Sequence, residues 1–490
     1  MLCKEINLIY KIVEKHKQNE KVAIETEEGY ITYSQLYREV YVLASKLYMF
    51  QRKRVIILMQ NSSEFIIAYF ALHKLNCVII PLYAALSIEE IEKCYEFCDA
   101  DLIITESMNL KQVHVKRNSI INFYCMNSRE LCLNVFKTKY SCESDSLVEI
   151  MRTSGSLTSP KYVQFSDDAI INNILGNIEA LEITEDERAL VVLPMAFSYC
   201  LHAQVLSYLY SGATIIIKPN KVFTPNGLMR LLNEKAITSF AVVPEYISQY
   251  VKSGNRYFIP TLRKIFLGAD FSSIDLRSQI QYCFGNVQVY VTYGMTEAGP
   301  RISTLKYNKN HVAAGSVGKP LKNVQCKIID DNDIELQPYK KGEIIIKTPS
   351  IMIGYYKNEI LTRQVIQNSW LHTGDYGYVD IDGNIYFVGR KKNIIKINGI
   401  LIYPEQVEEC IMQYPNVKRA CVTAEKSGKI PDVLVATIAI WGKEITEQDI
   451  IKYCKEKLPK EMIPQKVFIV NKIETTVTGK ILRDGACGSI

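Results

Sequence analysis

Fully apolar runs of three to five residues alternate with capped, helix-like segments along the first hundred residues, and this alternation constrains the fold more than any other feature. Residues 55–59, 78–80 and 102–104 are continuously apolar, as expected of strands buried on both faces. Helix-capping residues stand before the intervening segments: Ser34, then Ser62 or Ser63, then Ser87 with Glu90. The order predicts an α/β fold with a parallel sheet covered by helices, in which ligands bind beyond the carboxyl ends of the strands.

The strand–helix alternation resumes further along the chain and then gives way to short β runs. Apolar runs at 190–193, 213–217, 239–243 and 264–267 predict a second set of buried strands. Short β runs with acidic turns replace them from about residue 324, which predicts a small β subdomain over about 324–389. A charged turn follows the strand 385–388, and we place the main boundary there. We therefore predict an N-terminal core of residues 1–389 and a C-terminal α+β domain of residues 390–490.

Composition narrows the class of protein. The 490 residues exceed one ordinary domain, and 48% apolar with 22% charged residues is typical of soluble globular proteins. The 58 Lys+Arg and 52 Asp+Glu leave a net charge of only +6 without a basic cluster, so no nucleic-acid partner is expected. The sequence contains no secretory signal and no run of roughly 20 apolar residues that would span a membrane. The 14 cysteines lack paired spacing and are expected to be reduced, which favours a cytoplasmic protein.

A hydroxyl-rich stretch at residues 152–161 lies between an apolar segment and a predicted helix cap at Ser166. Hydroxyl and backbone N–H groups in such a loop can surround phosphate oxygens, and Lys161 adds a compact positive charge. Taken alone, the stretch is equally compatible with a surface turn. No Gly-Lys-Ser/Thr closes it, which argues against a P-loop NTPase.

Four further motifs follow in order. They are Thr-Tyr-Gly-Met-Thr-Glu-Ala-Gly-Pro at 292–300, Trp-Leu-His-Thr-Gly-Asp at 370–375, a segment from Gly-Arg to Ile-Asn-Gly at 389–399, and Thr-Gly-Lys-Ile-Leu-Arg at 478–483. Together with the loop at 152–161, this set resembles the adenylate-forming superfamily of acyl-CoA synthetases, carrier-protein-loading adenylation domains and firefly luciferase. The resemblance covers nearly the whole chain, and five motifs in one order are far more specific than any one of them.

The resemblance implies a large N-terminal domain, a mobile C-terminal domain and a two-step reaction with ATP and Mg²⁺. A carboxylic acid first forms an acyl-adenylate with release of pyrophosphate, and the acyl group then passes to the phosphopantetheine thiol of coenzyme A or of a carrier protein. An ionised carboxylate is already a nucleophile, so catalysis needs positioning and charge neutralisation more than a general base.

The resemblance also assigns roles in the N-terminal domain. Thr153, Ser154, Ser156 and Lys161 would hold the β and γ phosphates, with Gly155 allowing close backbone approach. The remaining nucleotide contacts would be the adenine-stacking Tyr293 with its neighbour Gly294, Thr296 at the α-phosphate, Glu297 as the Mg²⁺ ligand, and Asp375 and Arg390 at the ribose. A single carboxylate suits Mg²⁺, which keeps several waters and binds phosphates alongside one or two side chains.

In the C-terminal domain the resemblance assigns four positions. Lys480 would bridge the substrate carboxylate and the α-phosphate during adenylation, and Lys391 lies at the hinge position. Rotation about this hinge would withdraw Lys480 and bring the segment from Lys396 to Gly399 to the active site, where Gly399 would leave room for a pantetheine arm in the thiol tunnel.

The phosphate loop departs from the family pattern at three positions. Leu157 replaces a hydroxyl residue, Thr158 replaces a glycine, and Tyr162 replaces the glycine after the lysine. A catalytically inactive homologue that acts as an interaction protein is therefore one alternative. Retention of the acidic residue for Mg²⁺ and of the C-terminal lysine argues against it.

The acid pocket is expected to be lined by Phe197, Ser198, Tyr199, Gly268, Ala269 and Met295. Amino-acid-activating members usually carry an aspartate in the stretch that corresponds to residues 194–199, and this chain has no acidic residue there. A buried, unpaired ammonium would be costly, so an aryl or fatty acid is favoured over an amino acid. The predicted function is that of an ATP-dependent carboxylic acid:thiol ligase, with amino-acid activation as the alternative chemistry and a carrier protein in trans as a possible partner.

Overall fold

The computed structural model describes residues 7–106, 119–124, 130–135, 146–153, 160–218, 224–252, 254–285, 287–397, 400–425, 433–442, 445–476 and 481–483. The protein is a mixed α/β structure with a large N-terminal region built on mainly parallel sheets and a smaller C-terminal region. This architecture confirms the fold class predicted from the strand–helix alternation. No helix in the described part of the chain is both long and apolar enough to cross a membrane.

The strands of the described residues are, in chain order, β1 Val22–Glu25, β2 Tyr30–Thr32, β3 Arg54–Met59, β4 Val78–Tyr83, β5 Leu102–Glu106, β6 Ser119–Tyr124, β7 Glu130–Val135, β8 Glu149–Arg152, β9 Tyr162–Phe165, β10 Arg188–Val191, β11 Thr214–Ile217, β12 Ser239–Val242, β13 Lys264–Leu267, β14 Gln288–Tyr293, β15 Ser303–Lys306, β16 Lys319–Pro320, β17 Gln325–Ile329, β18 Gly342–Lys347, β19 Gly354–Tyr355, β20 Ile366–Gln367, β21 Trp370–Val379, β22 Ile385–Arg390, β23 Ile395–Ile397, β24 Ile400–Ile402, β25 Val417–Glu425, β26 Val433–Ile440 and β27 Lys466–Val470.

The α-helices of the described residues are α1 Leu8–Lys15, α2 Tyr33–Lys46, α3 Ser63–Lys74, α4 Ile88–Phe97, α5 Asp167–Leu181, α6 Ser198–Cys200, α7 Ser207–Tyr210, α8 Pro225–Glu234, α9 Pro244–Val251, α10 Ile274–Phe284, α11 Glu359–Val365, α12 Pro404–Met412 and α13 Glu447–Lys457. A π-helix, Leu201–Leu206, joins α6 to α7. Turns of π-helix are frequent at functional sites.

Two large sheets form the N-terminal region. Among the described residues, one has the order β19-β9-β8-β4-β3-β5-β7-β6 and the other the order β16-β15-β14-β13-β12-β10-β11-β1-β2. The central pairs are parallel in both, including β3 with β4 and β13 with β14, and antiparallel strands complete the edges. Strand β3 is buried along nearly its whole length, as its unbroken apolar sequence predicts.

Local sequence signals set most helix starts. The side chain of Ser62 accepts a hydrogen bond from the Phe65 N–H, and Ser87 with Glu90 forms a reciprocal capping box. The prediction that Ser34 caps the next helix is wrong, because Thr32 and Gln35 make a capping box and the N-cap lies two residues earlier, so that α2 begins at Tyr33. Strands β6 and β7, for which the sequence pattern supplied no assignment, extend the first sheet beyond β5.

Residues from β17 onward form smaller units. Strands β17, β18, β20, β21 and β22 make an antiparallel sheet. Strands β25, β26 and β27 make a mixed sheet, with β26 and β27 parallel, that α12 and α13 cover. Lys252 Nζ on the N-terminal side donates to the carbonyl of Val417 at 3.0 Å, and Arg419 pairs with Glu245 of α9. These contacts join the last sheet to the core.

Candidate active site

The buried carboxylate of Asp375 connects two other predicted nucleotide-binding residues. Asp375 lies on β21 opposite Arg390 of β22, and its side chain is 1% exposed. The Tyr293 hydroxyl donates to one carboxylate oxygen at 2.6 Å, and Arg390 Nε contacts the other at 2.9 Å. Burial, and then the Asp375 charge, raises the pKa of Tyr293, while the Asp375 charge raises the pKa of Arg390. Tyr293 therefore stays a neutral donor and Arg390 stays charged, so the orientation of the carboxylate is fixed.

Gly294 follows directly, at the carboxyl end of β14. A Cβ built on it would lie 1.9 Å from the carbonyl oxygen of Pro300. Only glycine fits this close approach of two backbone segments. The chain then makes a short 3₁₀ turn, Thr296–Ala298, which carries Thr296 and Glu297.

A single tyrosine hydroxyl joins the predicted phosphate-binding lysine to the predicted metal ligand. The Tyr355 hydroxyl donates to Glu297 Oε1 at 2.8 Å, and Lys161 Nζ donates to the same hydroxyl at 3.4 Å. Tyr355 and Glu297 are 5% and 8% exposed. Burial and the nearby Glu297 charge raise the pKa of Tyr355, which therefore remains a donor. The arrangement holds a cation and an anion on opposite sides of one hydroxyl.

The predicted phosphate loop is closed at its base by backbone pairing. Arg152 of β8 pairs with Tyr162 of β9, and the Thr153 N–H donates to the Lys161 carbonyl at 2.8 Å. Ser154, Gly155 and Ser156 lie outside the described residues. The base of the loop thus holds Lys161 beside Tyr355.

The turn after β14 also touches the predicted acid pocket. The Ser198 hydroxyl donates to Thr296 Oγ1 at 3.2 Å, so the first residue of α6 lies beside the residue predicted to contact the α-phosphate. Phe197, just before α6, faces Tyr83 with ring centroids 6.0 Å apart. Among the described residues of the predicted pocket, none is acidic.

Gly268 allows Tyr199 to reach the ends of β13 and β14. A Cβ built on Gly268 would lie 2.6 Å from the Tyr199 hydroxyl oxygen and 2.4 Å from Thr292 Oγ1. The next residue, Ala269, has a positive φ of 68°, which turns the chain away from the strand. Met295 follows Gly294 and is half-buried.

The predicted hinge residue is held by an ion pair. Lys391 Nζ lies 2.8 Å from Glu343 Oε2 and 3.6 Å from Asp331, and the hydrogen bond to Glu343 raises the pKa of Lys391. Lys396 is exposed on β23, away from these contacts. Gly399 and Lys480 lie outside the described residues.

The structure adds two residues that the sequence motifs did not identify, Tyr355 and Glu343. Glu343 is an acid directly before three isoleucines in β18, and this contrast is a signal that the sequence offers. Tyr355 lacks such a signal, because its partners lie 58 and 194 positions away along the chain.

The donor set suits a magnesium nucleotide better than a protein-bound metal. Within the described residues, no group of three or more His, Cys, Asp or Glu side chains could hold a metal ion. Glu297 would supply one carboxylate, and phosphate oxygens and waters would complete the shell that Mg²⁺ prefers. Lys161 would neutralise phosphate charge next to it.

Two family models match the chain: the AMP-binding enzyme over residues 13–356 and the AMP-binding enzyme C-terminal domain over residues 406–480. A 2-succinylbenzoate–CoA ligase of Bacillus cereus is 30% identical over 479 residues, which cover 95% of this chain and 94% of that protein. A ligase of the same name from Bacillus cytotoxicus is 29% identical over 469 residues, with 95% of each chain covered.

Solved structures agree with these relatives. The o-succinylbenzoate CoA synthetase of Bacillus subtilis in complex with its acyl-adenylate intermediate is similar with a TM-score of 0.84 and 25% identity, over 100% of this chain and 99% of that one. The same enzyme in complex with ATP and magnesium has a TM-score of 0.83, also at 25% identity, over 98% and 99%. The anthranilate CoA ligase AuaEII shares the fold, with a TM-score of 0.84 at 20% identity over 98% and 97%.

Proposed function

This chain belongs to the AMP-binding enzyme family and is an AMP-forming acid–thiol ligase, and on that premise we propose that it activates an aryl carboxylic acid with ATP and Mg²⁺ and transfers the acyl group to coenzyme A. The observation that carries the proposal is the turn after β14. It places Tyr293, joined to Asp375 and Arg390, a few residues from Glu297, joined through Tyr355 to Lys161. The residues predicted to contact the nucleoside and the phosphates thus meet at the end of β14.

In the first step a carboxylate oxygen of the acid attacks the α-phosphorus of ATP, and the bond from that phosphorus to the bridging oxygen of pyrophosphate breaks. Two anions meet in this step, so their repulsion must be offset. Lys161 would neutralise the β and γ phosphates, Thr296 would donate to the α-phosphate, and Glu297 would hold Mg²⁺. Magnesium supplies positive charge that stabilises the departing pyrophosphate.

In the second step the thiol sulfur attacks the acyl carbon, AMP leaves with the bonding electrons, and the thiol proton passes to solvent. We propose that residues 390–490 act as a mobile lid that turns about Lys391 between the steps. Lys480 would serve adenylation, and Lys396 and Gly399 would serve thiol entry. The ion pair of Lys391 with Glu343 supports a defined hinge position in one of the two arrangements.

An aryl acid is favoured by the chemistry of the pocket. Residues 194–199 carry no acidic group for an α-ammonium, Asp270 at the border of the predicted pocket is exposed, and Phe197, Tyr199 and Met295 offer apolar surface. The similar ligases are named for 2-succinylbenzoate, which is also an aryl acid. Coenzyme A is favoured over a carrier protein because the relatives are CoA ligases. A cytoplasmic location suits an enzyme that uses ATP and CoA.

Pyrophosphate release tests the proposal directly. Purified protein is offered ATP, Mg²⁺ and a panel of aryl, fatty and amino acids that includes 2-succinylbenzoate, and active acids are then tested with coenzyme A and with carrier proteins. The expected result is release with aryl acids and thioester formation with coenzyme A. Release with amino acids alone would favour the amino-acid alternative. Folded protein that releases pyrophosphate with none of the acids would refute the enzymatic function.

A further inference from the structure

Tyr199 carries a polar group for which the two-step reaction provides no role. Its hydroxyl oxygen is shielded from solvent and interacts with the donor groups of Arg301, and none of the described residues accepts its proton in a hydrogen bond of good geometry. A buried O–H without an acceptor lowers stability, so such groups are rare unless a ligand uses them. The phenol ring itself is half-buried, in the segment that begins the predicted acid pocket.

The position of this hydroxyl is set by two strand ends. A Cβ on Gly268 would meet the Tyr199 oxygen at 2.6 Å and its Cζ at 2.9 Å, so the tip of the phenol lies against the end of β13. Thr292 Oγ1 would lie 2.4 Å from the same Cβ position, and it already donates its only proton to the Leu267 carbonyl at 2.8 Å. Thr292 therefore does not donate to the Tyr199 hydroxyl, and it makes no hydrogen bond of good geometry with it.

A buried arginine lies behind the ring. Arg301 is 3% exposed, and its guanidinium carbon is 5.1 Å from the ring centroid of Tyr199. Its Nε donates to the Asn177 side-chain oxygen at 2.8 Å, and Asn177 in turn donates to the Ala203 carbonyl at 2.8 Å. Neither the amide nor the ring neutralises the charge. Burial lowers the pKa of Arg301, yet an arginine remains protonated at neutral pH.

A positive charge next to a phenol makes its hydroxyl a better hydrogen-bond donor and makes the surrounding pocket favourable to negative charge. The same charge disfavours an ammonium group. Tyr199 and Arg301 would therefore discriminate among acids by the charged and hydrogen-bonding groups of the acyl part. Lys161 and Glu297 would act on the nucleotide instead.

We propose that Tyr199 is a specificity residue, whose hydroxyl donates a hydrogen bond to an oxygen of the acyl part of the acid other than the reacting carboxylate, with Arg301 as its positioning and charge-supplying partner. The substrate class is then an aryl acid with a ketone or a second carboxylate. This inference rests on the proposed function and deepens it.

The test compares two acids that differ by one ketone oxygen, benzoylpropionate and phenylbutyrate, in wild type and in Tyr199→Phe. Phenylalanine keeps the ring over Arg301 and removes only the donor. We expect kcat/KM for benzoylpropionate to fall about 10- to 100-fold, kcat/KM for phenylbutyrate to change by less than about twofold, and KM for ATP to stay constant. The matched control is Tyr282→Phe, which changes an exposed tyrosine of α10.

Equal losses with both acids, or no loss with either, would overturn the inference while leaving the ligase function intact. A wild-type enzyme that activates aryl acids without preferring the ketone would also overturn it. Absence of pyrophosphate release by wild type with every acid would instead refute the proposed function, and the inference with it.

The role of Arg301 is tested in the same assay by a double-mutant cycle. If the charge acts through the Tyr199 hydroxyl, Arg301→Met should reduce the preference for benzoylpropionate in wild type and have no further effect on it in Tyr199→Phe. Additive losses would show that Arg301 acts independently of that hydroxyl. Arg301→Lys keeps the charge and should retain part of the preference, which separates the charge from packing.

Discussion

Replacing Asp375 with Asn removes one negative charge from the cluster of Asp375, Tyr293 and Arg390, which we propose binds the nucleoside, and leaves its shape almost unchanged. The carboxylate uses one oxygen for the Tyr293 hydroxyl at 2.6 Å and the other for Arg390 Nε at 2.9 Å. An amide keeps one acceptor and places an NH₂ group where the second acceptor stood. One of the two partners then faces a donor.

Two consequences have separate magnitudes. The Tyr293 hydrogen bond to the charged carboxylate contributes about 1.5–3 kcal/mol. Arg390 forms an ion pair with the other oxygen and its side chain is 34% exposed, so screening by solvent keeps the loss of folding stability near the lower limit, about 1.5–2 kcal/mol. If Asp375 also accepts the ribose hydroxyls, the loss of about 2–3 kcal/mol in transition-state binding lowers kcat/KM for ATP about 30- to 140-fold.

Steady-state pyrophosphate release at saturating acid and varied ATP gives kcat/KM for ATP. Thermal unfolding reports the change in folding stability. Asp382→Asn, at an exposed position in the turn between β21 and β22, is the matched control and should leave both unchanged. A lower melting temperature with kcat/KM for ATP within about threefold of wild type would refute the reasoning, because the carboxylate would then stabilise the fold without binding nucleotide.

Three further perturbations follow from the same contacts. Tyr355→Phe removes the donor that orients Glu297, and we expect about a tenfold lower kcat/KM for Mg-ATP in a magnesium titration; an unchanged titration would contradict this. Lys391→Pro should leave adenylate formation measurable and abolish thioester formation, whereas equal loss of both would count against a hinge. Burial lowers the pKa of His73 from 6.5 to about 3, so below pH 6.5 the unfolded state binds the proton first and stability falls. Between pH 7 and pH 5, the free energy of unfolding of wild type in denaturant should fall by about 2 kcal/mol more than that of His73→Phe. If the free energies of the two proteins change with pH in parallel, His73 does not contribute.

Sequence predicts those features that depend on neighbouring residues. The capping boxes at Ser87 and Thr446 need only residues three positions apart, and the buried strands show as unbroken apolar runs. The order of strands in the sheets depends on contacts between distant segments, so periodicity does not supply it. Strands β6 and β7 went unpredicted for the same reason, since each is defined by its pairing partner rather than by a clear alternating pattern.

The candidate site divides in the same way. Asp375 and Arg390 stand in recognisable motifs, and their pairing across β21 and β22 was not needed to find them. The role of Tyr355 depends on three segments that meet only in the fold, and the proximity of Tyr199 to Arg301 spans 102 positions of the chain. Motifs therefore predict which residues contact the nucleotide, and the fold is needed to infer what the predicted acid pocket selects.

Tyr162 shows how the fold decides whether a departure from a motif matters. It replaces the glycine that usually follows the phosphate-loop lysine, yet its ring is 6% exposed and packs against Phe97 with centroids 4.9 Å apart. Successive residues of an extended chain point to opposite faces, so Lys161 meets Tyr355 on one face while Tyr162 lies beside Tyr356 in the core on the other. A bulky residue after the lysine consequently adds core contacts without entering the face that carries Lys161, and the remaining departures from the family's loop pattern are residues 157 and 158.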